Sequence, residues 1–329
     1  MLSRRRAALI LVFLCGIAIF SISMALMTGS ISVAPSTVIS ALFNENTSVA
    51  EDIVLSLRLP RALGGFACGG LLAIAGALLQ ILLRNPLADP YVLGISGGAG
   101  LGALTAIFFG FTVAGINGFA FMGALASMLL VFGLARGDGS WTQTRLLLTG
   151  VIVAAGCGAA IAFLLSVAPE NKLHSMLFWL MGDLSQTNDP TIVLTVLCVA
   201  LILCLPYARE LNLLTRGSTT AQSLGVNVKY LRLCVFLIAS ITTAAAVTHS
   251  GTVGFIGLIV PHLVRLGSGN DQRLLLPASA LAGGSLLVTA DTLARTIAAP
   301  QQLPVGVLTA LIGVPVFLFL LTRQTRQSF

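Results

Sequence analysis

Ten long apolar stretches run through this 329-residue chain, and they limit its possible folds more than any other feature does. A helix that spans a bilayer needs about 20 mostly apolar residues. Each stretch is continuous, without the two-residue alternation of a membrane-spanning β-strand. The sequence therefore predicts an all-α, polytopic membrane protein of about ten transmembrane helices, in one integral-membrane domain over residues 1–329. The predicted spans are about 7–28, 60–83, 92–110, 115–135, 146–168, 190–207, 233–249, 252–265, 275–297 and 304–322.

Composition agrees with a membrane location. Charged residues make up only 9% of the chain, and its mean hydropathy is +0.99, whereas soluble domains carry about 25% charged residues. The eighth stretch, 252–265, is short and interrupted by glycine and proline. It is either a re-entrant segment or a helix sheltered by its neighbours, because irregular backbone at membrane depth needs protein around it.

The basic residues are divided unevenly between the two sides of the predicted topology. With the N-terminus placed in the cytoplasm, 14 of the 18 lysines and arginines fall on the cytoplasmic side. The outer side keeps only Arg58, Arg61, Lys172 and Arg295. An excess of basic residues in cytoplasmic loops is the positive-inside signature. We therefore expect both termini in the cytoplasm, and we interpret the net charge of +7 as an orientation signal rather than a nucleic-acid site.

No pattern in the sequence indicates catalysis or metal binding. A P-loop needs G-K-[ST] so that its lysine can reach the phosphates, but Lys172 and Lys229 follow asparagine and valine. The six cysteines form no C-x-x-C pair, so neither a metal site nor a disulfide framework is indicated. His174, His249 and His262 fall in separate segments and assemble no site. We expect no catalytic residue, no metal site and no enzyme activity in this chain.

One acidic residue, Asp291, falls inside a predicted span. Ion-driven carriers place ionisable groups at such positions, where they are costly and therefore functional. Arg295 follows four residues later and lies on the same face of the helix. An internal ion pair near the helix end is the favoured interpretation, and a proton relay is the alternative.

Polar segments on both sides of the membrane point to partner proteins. Residues 208–232, on the inside, are polar and weakly amphipathic, and we predict that they contact an energising subunit. Residues 169–189, on the outside, mix aromatic and polar side chains, which predicts a short interfacial helix. Arg58, Arg61 and Arg295 are expected to be exposed on the outside, where they would steer an acidic partner surface.

Several motifs occur in one order along nearly the whole chain. They are Arg58-Leu59-Pro60-Arg61, GALLQILLRNPLADPYVLGISGGAGLGA (76–103), RLLLTGV (145–151), FWLMGDLS (178–185), STTAQSLGV (218–226), GTVGFIGLIVPHLVR (251–265), RLLLPASALAGGSLLVTADTLAR (273–295) and LPVGVLTALIGVPVFLFLL (303–321). In these motifs the chain resembles the FecCD-type permease family of importers for iron chelates, haem and cobalamin.

The resemblance implies a set of partners and a location. Family members pair with a second permease copy or a related permease, with two ATP-binding subunits and with a periplasmic substrate-binding protein. ATP and magnesium are used by the partner ATPase, so no cofactor is expected on this chain. The implied location is the bacterial inner membrane, with the solute path at the dimer axis.

The resemblance also implies functional residues. A cytoplasmic coupling segment over about 213–227 would contact the ATPase, and Arg58, Arg61 and Arg295 would dock the binding protein. Two inner loops would form the cytoplasmic gate. The implied coupling residues are Ser218, Thr219, Ala221, Leu224 and Gly225. The implied gate residues are Asn85, Leu87, Gln143 and Thr144.

Three functional hypotheses follow from the sequence. The first is an ATP-driven importer permease that works by alternating access and carries an iron siderophore, with haem and cobalamin as alternative solutes. The second is an ion-coupled secondary transporter of similar topology. The third is a structural or interaction subunit of the membrane. Co-purification with a P-loop ATPase distinguishes the three.

Overall fold

The computed structural model describes residues 4–29, 32–43, 48–135, 142–185 and 189–325, and over these residues it contains helices and no strand. The fold class is therefore all-α, as predicted. The α-helices are α1 (Arg4–Met27), α2 (Pro35–Phe43), α3 (Val49–Asp52), α4 (Leu59–Leu82), α5 (Ile95–Phe109), α6 (Val113–Ala135), α7 (Gln143–Val167), α8 (Glu170–Met181), α9 (Thr191–Cys204), α10 (Ala208–Thr215), α11 (Ser218–Ser223), α12 (Val228–Ser250), α13 (Ile256–Ser268), α14 (Gln272–Thr296) and α15 (Val305–Thr325).

Each of the ten predicted spans coincides with a helix, but the count of ten is approximate. Within the described residues, α1, α4, α6, α7, α12 and α14 lie in helices long and apolar enough to cross a membrane. The pair α9 and α10 passes the same test together, with a bend of 69° between them. The apolar helices α5, α13 and α15 are shorter. In α5 the shortening has a local cause, because Gly94 adopts a left-handed φ of 73° and starts the helix late.

The eighth stretch is a short helix sheltered by its neighbours. Residues 251–254 are not helical, and α13 begins only at Ile256. The buried side chains of α13, Ile256 and Val260 among them, pack where the helix contacts α4 and α14. Irregular backbone at this depth is therefore enclosed by protein, as a bilayer requires.

Helix α4 is the centre of the bundle. Its residues from Ala67 to Leu82 are all buried, and it contacts α9, α12, α13 and α14. A helix that is apolar on every side is stable only when other helices surround it. By contrast, only 6% of the most apolar part of α7 is buried, against 89% of the corresponding part of the helix that contains α4. Helix α7 therefore presents its surface to lipid or to another chain.

Glycines bring the backbones of neighbouring helices close together. A Cβ atom on Gly69 of α4 would overlap the carbonyl oxygen of Gly283 of α14, and the reverse substitution meets Gly69. Gly98 of α5 and Gly123 of α6 make the same kind of crossing. Small residues at such positions replace the hydrophobic driving force that is missing between helices in lipid.

The Gly69 crossing predicts a selective loss of stability. The substitution Gly69→Ala forces α4 away from α14, because its Cβ meets backbone rather than a flexible side chain. Overpacking of this kind costs about 1–3 kcal/mol, so the thermal unfolding midpoint of the detergent-solubilised protein should fall. The control Gly133→Ala places a Cβ in open space on α6 and should leave the midpoint unchanged or raise it. Equal midpoints for the two variants would contradict the assignment.

Candidate functional site

The predicted coupling segment, 213–227, contains the end of α10 and all of α11. Gly217 and Gly225 flank α11 with φ values of 130° and 84°, a region that glycine adopts without strain. Ala221 is fully buried, so it fixes α11 against the bundle. Leu224, directly after α11, is 61% exposed. The segment therefore has a buried anchor and an exposed apolar contact.

The other implied coupling residues lie on the same short helix. Ser218 is half-buried at its start, and Thr219 is exposed. The backbone N–H of Gly225 donates to Gln222 and that of Val226 to Ala221, so the turn after α11 is closed by hydrogen bonds.

The predicted gate residues meet at the C-terminal end of α4. Asn85 Oδ1 accepts a hydrogen bond of 2.9 Å from the Leu87 N–H, which shapes the loop that follows α4. Gln143 Nε2, at the start of α7, donates to the Leu82 carbonyl over 3.0 Å. The last carbonyls of a helix have no partner within it, so this bond ties α7 to the loop. Thr144 and Leu87 are exposed beside it.

Arg84 joins the gate loop to the coupling segment. Its Nη2 donates to Ser218 Oγ over 3.0 Å, and the residue adopts a φ of 47°. From the sequence, Arg84 was interpreted only as one of the 14 basic residues on the cytoplasmic side. The basic residue directly after an apolar run was the available signal, but a positive φ in a non-glycine residue leaves no mark in sequence.

Asp89 ends the same loop in a buried position. Burial raises the pKa of its carboxyl group to about 6, while a hydrogen bond from the Tyr91 N–H acts in the opposite direction. At neutral pH the Asp89 carboxylate is charged, and keeping this charge away from water lowers the stability of the folded protein.

The outer arginines form a buried cluster around Asp291. Arg61 Nη2 lies 2.8 Å from Asp291 Oδ1 and its Nε 3.0 Å from Oδ2, and Arg295 Nε lies 3.2 Å from Oδ2. The structure thus contains the predicted internal pair of Asp291 with Arg295, with Arg61 as an additional partner.

The exposure expected for these arginines was wrong. Arg58 is 6% exposed and Arg295 7% exposed, and 12% of the Arg61 side chain is accessible. Arg58 Nη1 donates to the carbonyl of Leu26 over 2.8 Å. The end of α1 supplies acceptor carbonyls and Asp291 supplies a carboxylate, so the guanidinium groups turn inward. Their role in docking stays a prediction.

Gln80 is a site that sequence reasoning missed. Pro261, inside α13, has no N–H to donate to the carbonyl four residues earlier. Gln80 Nε2 approaches this carbonyl, of Gly257, at 3.5 Å and donates to that of Leu258 at 3.1 Å. Its Oε1 accepts 2.9 Å from Arg265 Nη2. A single glutamine within the apolar run GALLQILL was the signal available in the sequence.

A cavity of about 470 Å³ opens on the predicted outer side, beside α8. His174 and His249, both expected on the outer side, line this same cavity together with Trp179 and Asp183. His262 lies elsewhere, buried in α13. His249 Nδ1 lies 3.0 Å from the Ala245 carbonyl, which makes Nδ1 the protonated nitrogen. Among the described residues, no three His, Cys, Asp or Glu side chains are grouped to hold a metal ion.

Known proteins with similar sequences place the chain among the permease subunits of ABC importers. It is 42% identical to the hemin transport permease HmuU of Yersinia pestis over 87% of this chain and 88% of that protein. It is 46% identical to the cobalamin import permease BtuC of Halobacterium salinarum, over 84% and 75%. For the Fe(3+) dicitrate permease FecC of Escherichia coli, the identity is 38% over 97% and 95%.

A solved structure and a family model agree with this class. An inward-facing metal-chelate type ABC transporter superimposes with a TM-score of 0.83 at 30% identity, over 96% of this chain and 99% of that one. The model of the FecCD transport family matches residues 17–323. The chain belongs to the FecCD transport family, as its motifs predicted.

The Asp291 cluster predicts a large effect on stability. The substitution Asp291→Ala leaves Arg61 and Arg295 buried together without a counter-charge, and removing one partner of a buried pair costs about 3–5 kcal/mol. We expect a clear fall in the thermal unfolding midpoint. Asp52→Ala, which changes an exposed acidic residue at the end of α3, serves as the control and should have little effect. A small effect of Asp291→Ala would contradict the role of the cluster.

The raised pKa of Asp89 predicts a dependence on pH. Since the pKa in the folded state lies above the ordinary value of 3.8, the folded protein loses stability as the pH rises through about 4 to 6. Asp89→Asn removes this loss while keeping an acceptor oxygen for Tyr91. The variant should match the wild type near pH 4 and exceed it by about 1–3 kcal/mol above pH 7. Thermal melts across this range test it, and a constant difference would refute the assignment.

Proposed function

We propose that this chain is the permease subunit of an importer that moves an iron chelate of the siderophore type across the bacterial inner membrane. A separate ATPase supplies the energy, and ATP and magnesium bind to that partner. The observation that carries the proposal is the coupling segment, 213–227. Leu224 is exposed there while Ala221 is fully buried, and Arg84 links the segment to the gate loop.

The transport path requires a second copy of this chain or a related permease. Helix α7 is almost entirely unburied within one chain, and α15 exposes Leu311 and Leu318 by more than half. Helix α7 also begins at the gate residue Gln143. We place a second permease against these helices, so that the two copies enclose the solute between them.

Movement in the ATPase pair is transmitted by α10 and α11. ATP binding closes the two ATPase subunits, which shifts the coupling segment and tilts the helices packed on it. The substrate-binding protein docks outside near Arg61 and releases its solute into an outward-facing cavity. The loop at Asn85 and Leu87 then separates from Gln143 and Thr144, and the solute leaves inward. No covalent change to the solute is involved.

The orientation in this proposal follows from the basic residues. Both termini lie in the cytoplasm, together with the coupling segment and the gate. The cavity beside α8 then opens to the periplasm, where aromatic walls at Phe178 and Trp179 suit a large chelate.

Haem and cobalamin are the alternative solutes for the same machinery. Two relatives named above are a hemin permease and a cobalamin permease, and the two histidines of the outer cavity favour haem as the second candidate. A binding assay between the partner binding protein and each chelate decides among the three.

Coupling to an ATPase is tested at Leu224. In a complex of this permease with its ATPase subunits and binding protein, Leu224→Ala removes an exposed apolar contact with the ATPase. Co-purification with the ATPase subunits and solute-stimulated ATP hydrolysis should therefore both fall by about tenfold. Leu266→Ala is a matched control, since Leu266 is 64% exposed on α13 but lies outside the coupling segment. Failure of the wild-type chain to co-purify with any P-loop ATPase would favour a secondary transporter or a structural subunit instead.

A further inference from the structure

A cavity of about 1010 Å³ lies between the start of α1, helix α10 and the turn from α13 to α14. Arginine is its most frequent lining residue. The arginines that line it are Arg6, Arg209, Arg216 and Arg273. All four are exposed, so their guanidinium groups are accessible to a ligand from outside the chain.

The acidic group in this cavity is already engaged by the protein. Asp271 Oδ1 accepts hydrogen bonds from Asn212 Nδ2 at 2.9 Å and from the Arg273 backbone N–H at 3.1 Å. Asn212 Oδ1 in turn accepts from the Gln272 N–H at 2.9 Å. These bonds join α10 to the start of α14. Four arginines and one aspartate line the cavity, so the lining residues carry a net positive charge.

The surface next to this cavity is apolar and exposed. Directly after Arg6, helix α1 exposes Leu9, Val12 and Phe13 by 67%, 69% and 67%. In a membrane, such a flank contacts lipid acyl chains, and Arg6 at its end reaches the level of the phosphate groups. Basic pockets between helices on the cytoplasmic side attract anionic lipid head groups.

We propose that this cavity binds the phosphate head group of an anionic phospholipid, whose acyl chains lie along the exposed flank of α1. Arginine suits this ligand, because its planar guanidinium donates two parallel hydrogen bonds to phosphate oxygens. The site requires only that the chain lies in a membrane with this end facing the anionic leaflet.

The position of the cavity favours lipid over an acidic protein surface. Leu224, the exposed coupling contact, lines a neighbouring cavity of about 310 Å³ that is completed by the start of α12. The two cavities share Arg209 and Leu213 of α10, but of these two only the arginine-lined cavity includes Arg6 and Ala7 of α1. A head group bound there would therefore lie against α1 as well as α10 and would hold α10 in place.

The experiment compares lipid binding to two charge-matched variants of the full chain. Native mass spectrometry of the detergent-solubilised protein measures binding of phosphatidylglycerol and phosphatidylcholine. The double variant Arg6→Gln/Arg273→Gln removes two lining charges. The control Arg5→Gln/Arg145→Gln removes two exposed charges of the same side that do not line the cavity. We expect phosphatidylglycerol to bind about tenfold more weakly to the first variant and within about twofold of wild type to the control.

Four results would overturn the proposal. Equal binding of phosphatidylcholine, or equal losses in both double variants, would mean that no specific head-group site exists. Displacement of the lipid by inorganic phosphate at similar concentration would indicate a site for soluble anions. Unchanged lipid binding combined with weaker ATPase assembly would indicate a protein contact. Helical content by circular dichroism and the thermal midpoint must match wild type, and the single variant Arg273→Gln, which does not line the cavity at Leu224, replaces the double variant if they do not.

Discussion

Close backbone approach between helices holds this bundle together, and glycine makes that approach possible. Within lipid, burying apolar side chains gains little, because acyl chains are as apolar as leucine. Helix α4 therefore depends on its crossings, at Gly69 with Gly283 of α14 and at Gly76 with Gly257 of α13. The crossing at Gly76 also lets α13 pack closely against α4, although α13 is short and contains Pro261.

Polar side chains inside the bundle satisfy groups that the helices leave without partners. Gln80 donates to carbonyls beside Pro261, and Asp291 neutralises Arg61 and Arg295. Arg295 Nη2 also approaches the Ala25 carbonyl of α1 at 3.5 Å. An unsatisfied polar group in this environment costs several kcal/mol. These contacts therefore serve structure first, and any role of Arg61 in docking a partner must operate through a side chain that is already paired.

Sequence patterns predicted the fold class and the position of a helix at each apolar stretch, because apolar length and helical geometry are local properties. The pair of Asp291 with Arg295 was also predictable, since a spacing of four residues places both on one helical face. The third member, Arg61, is 230 residues away along the chain, and no local pattern reveals such a contact. The exposure expected for the outer arginines failed for the same reason, as the acceptors at the end of α1 come from a distant segment.

The candidate coupling segment is joined to the rest of the bundle by buried side-chain packing and by one exposed hydrogen bond. Ala221 of α11 and Leu211 and Leu214 of α10 are almost fully buried, so a displacement of either helix is transmitted to the bundle through packed side chains. The hydrogen bond from Arg84 to Ser218 is exposed and contributes only about 0.5–1.5 kcal/mol. A bond of this strength can break and re-form in every transport cycle. In the proposed mechanism, the buried contacts transmit the displacement to the bundle, and the Arg84 bond keeps the gate loop beside α11 until the segment moves.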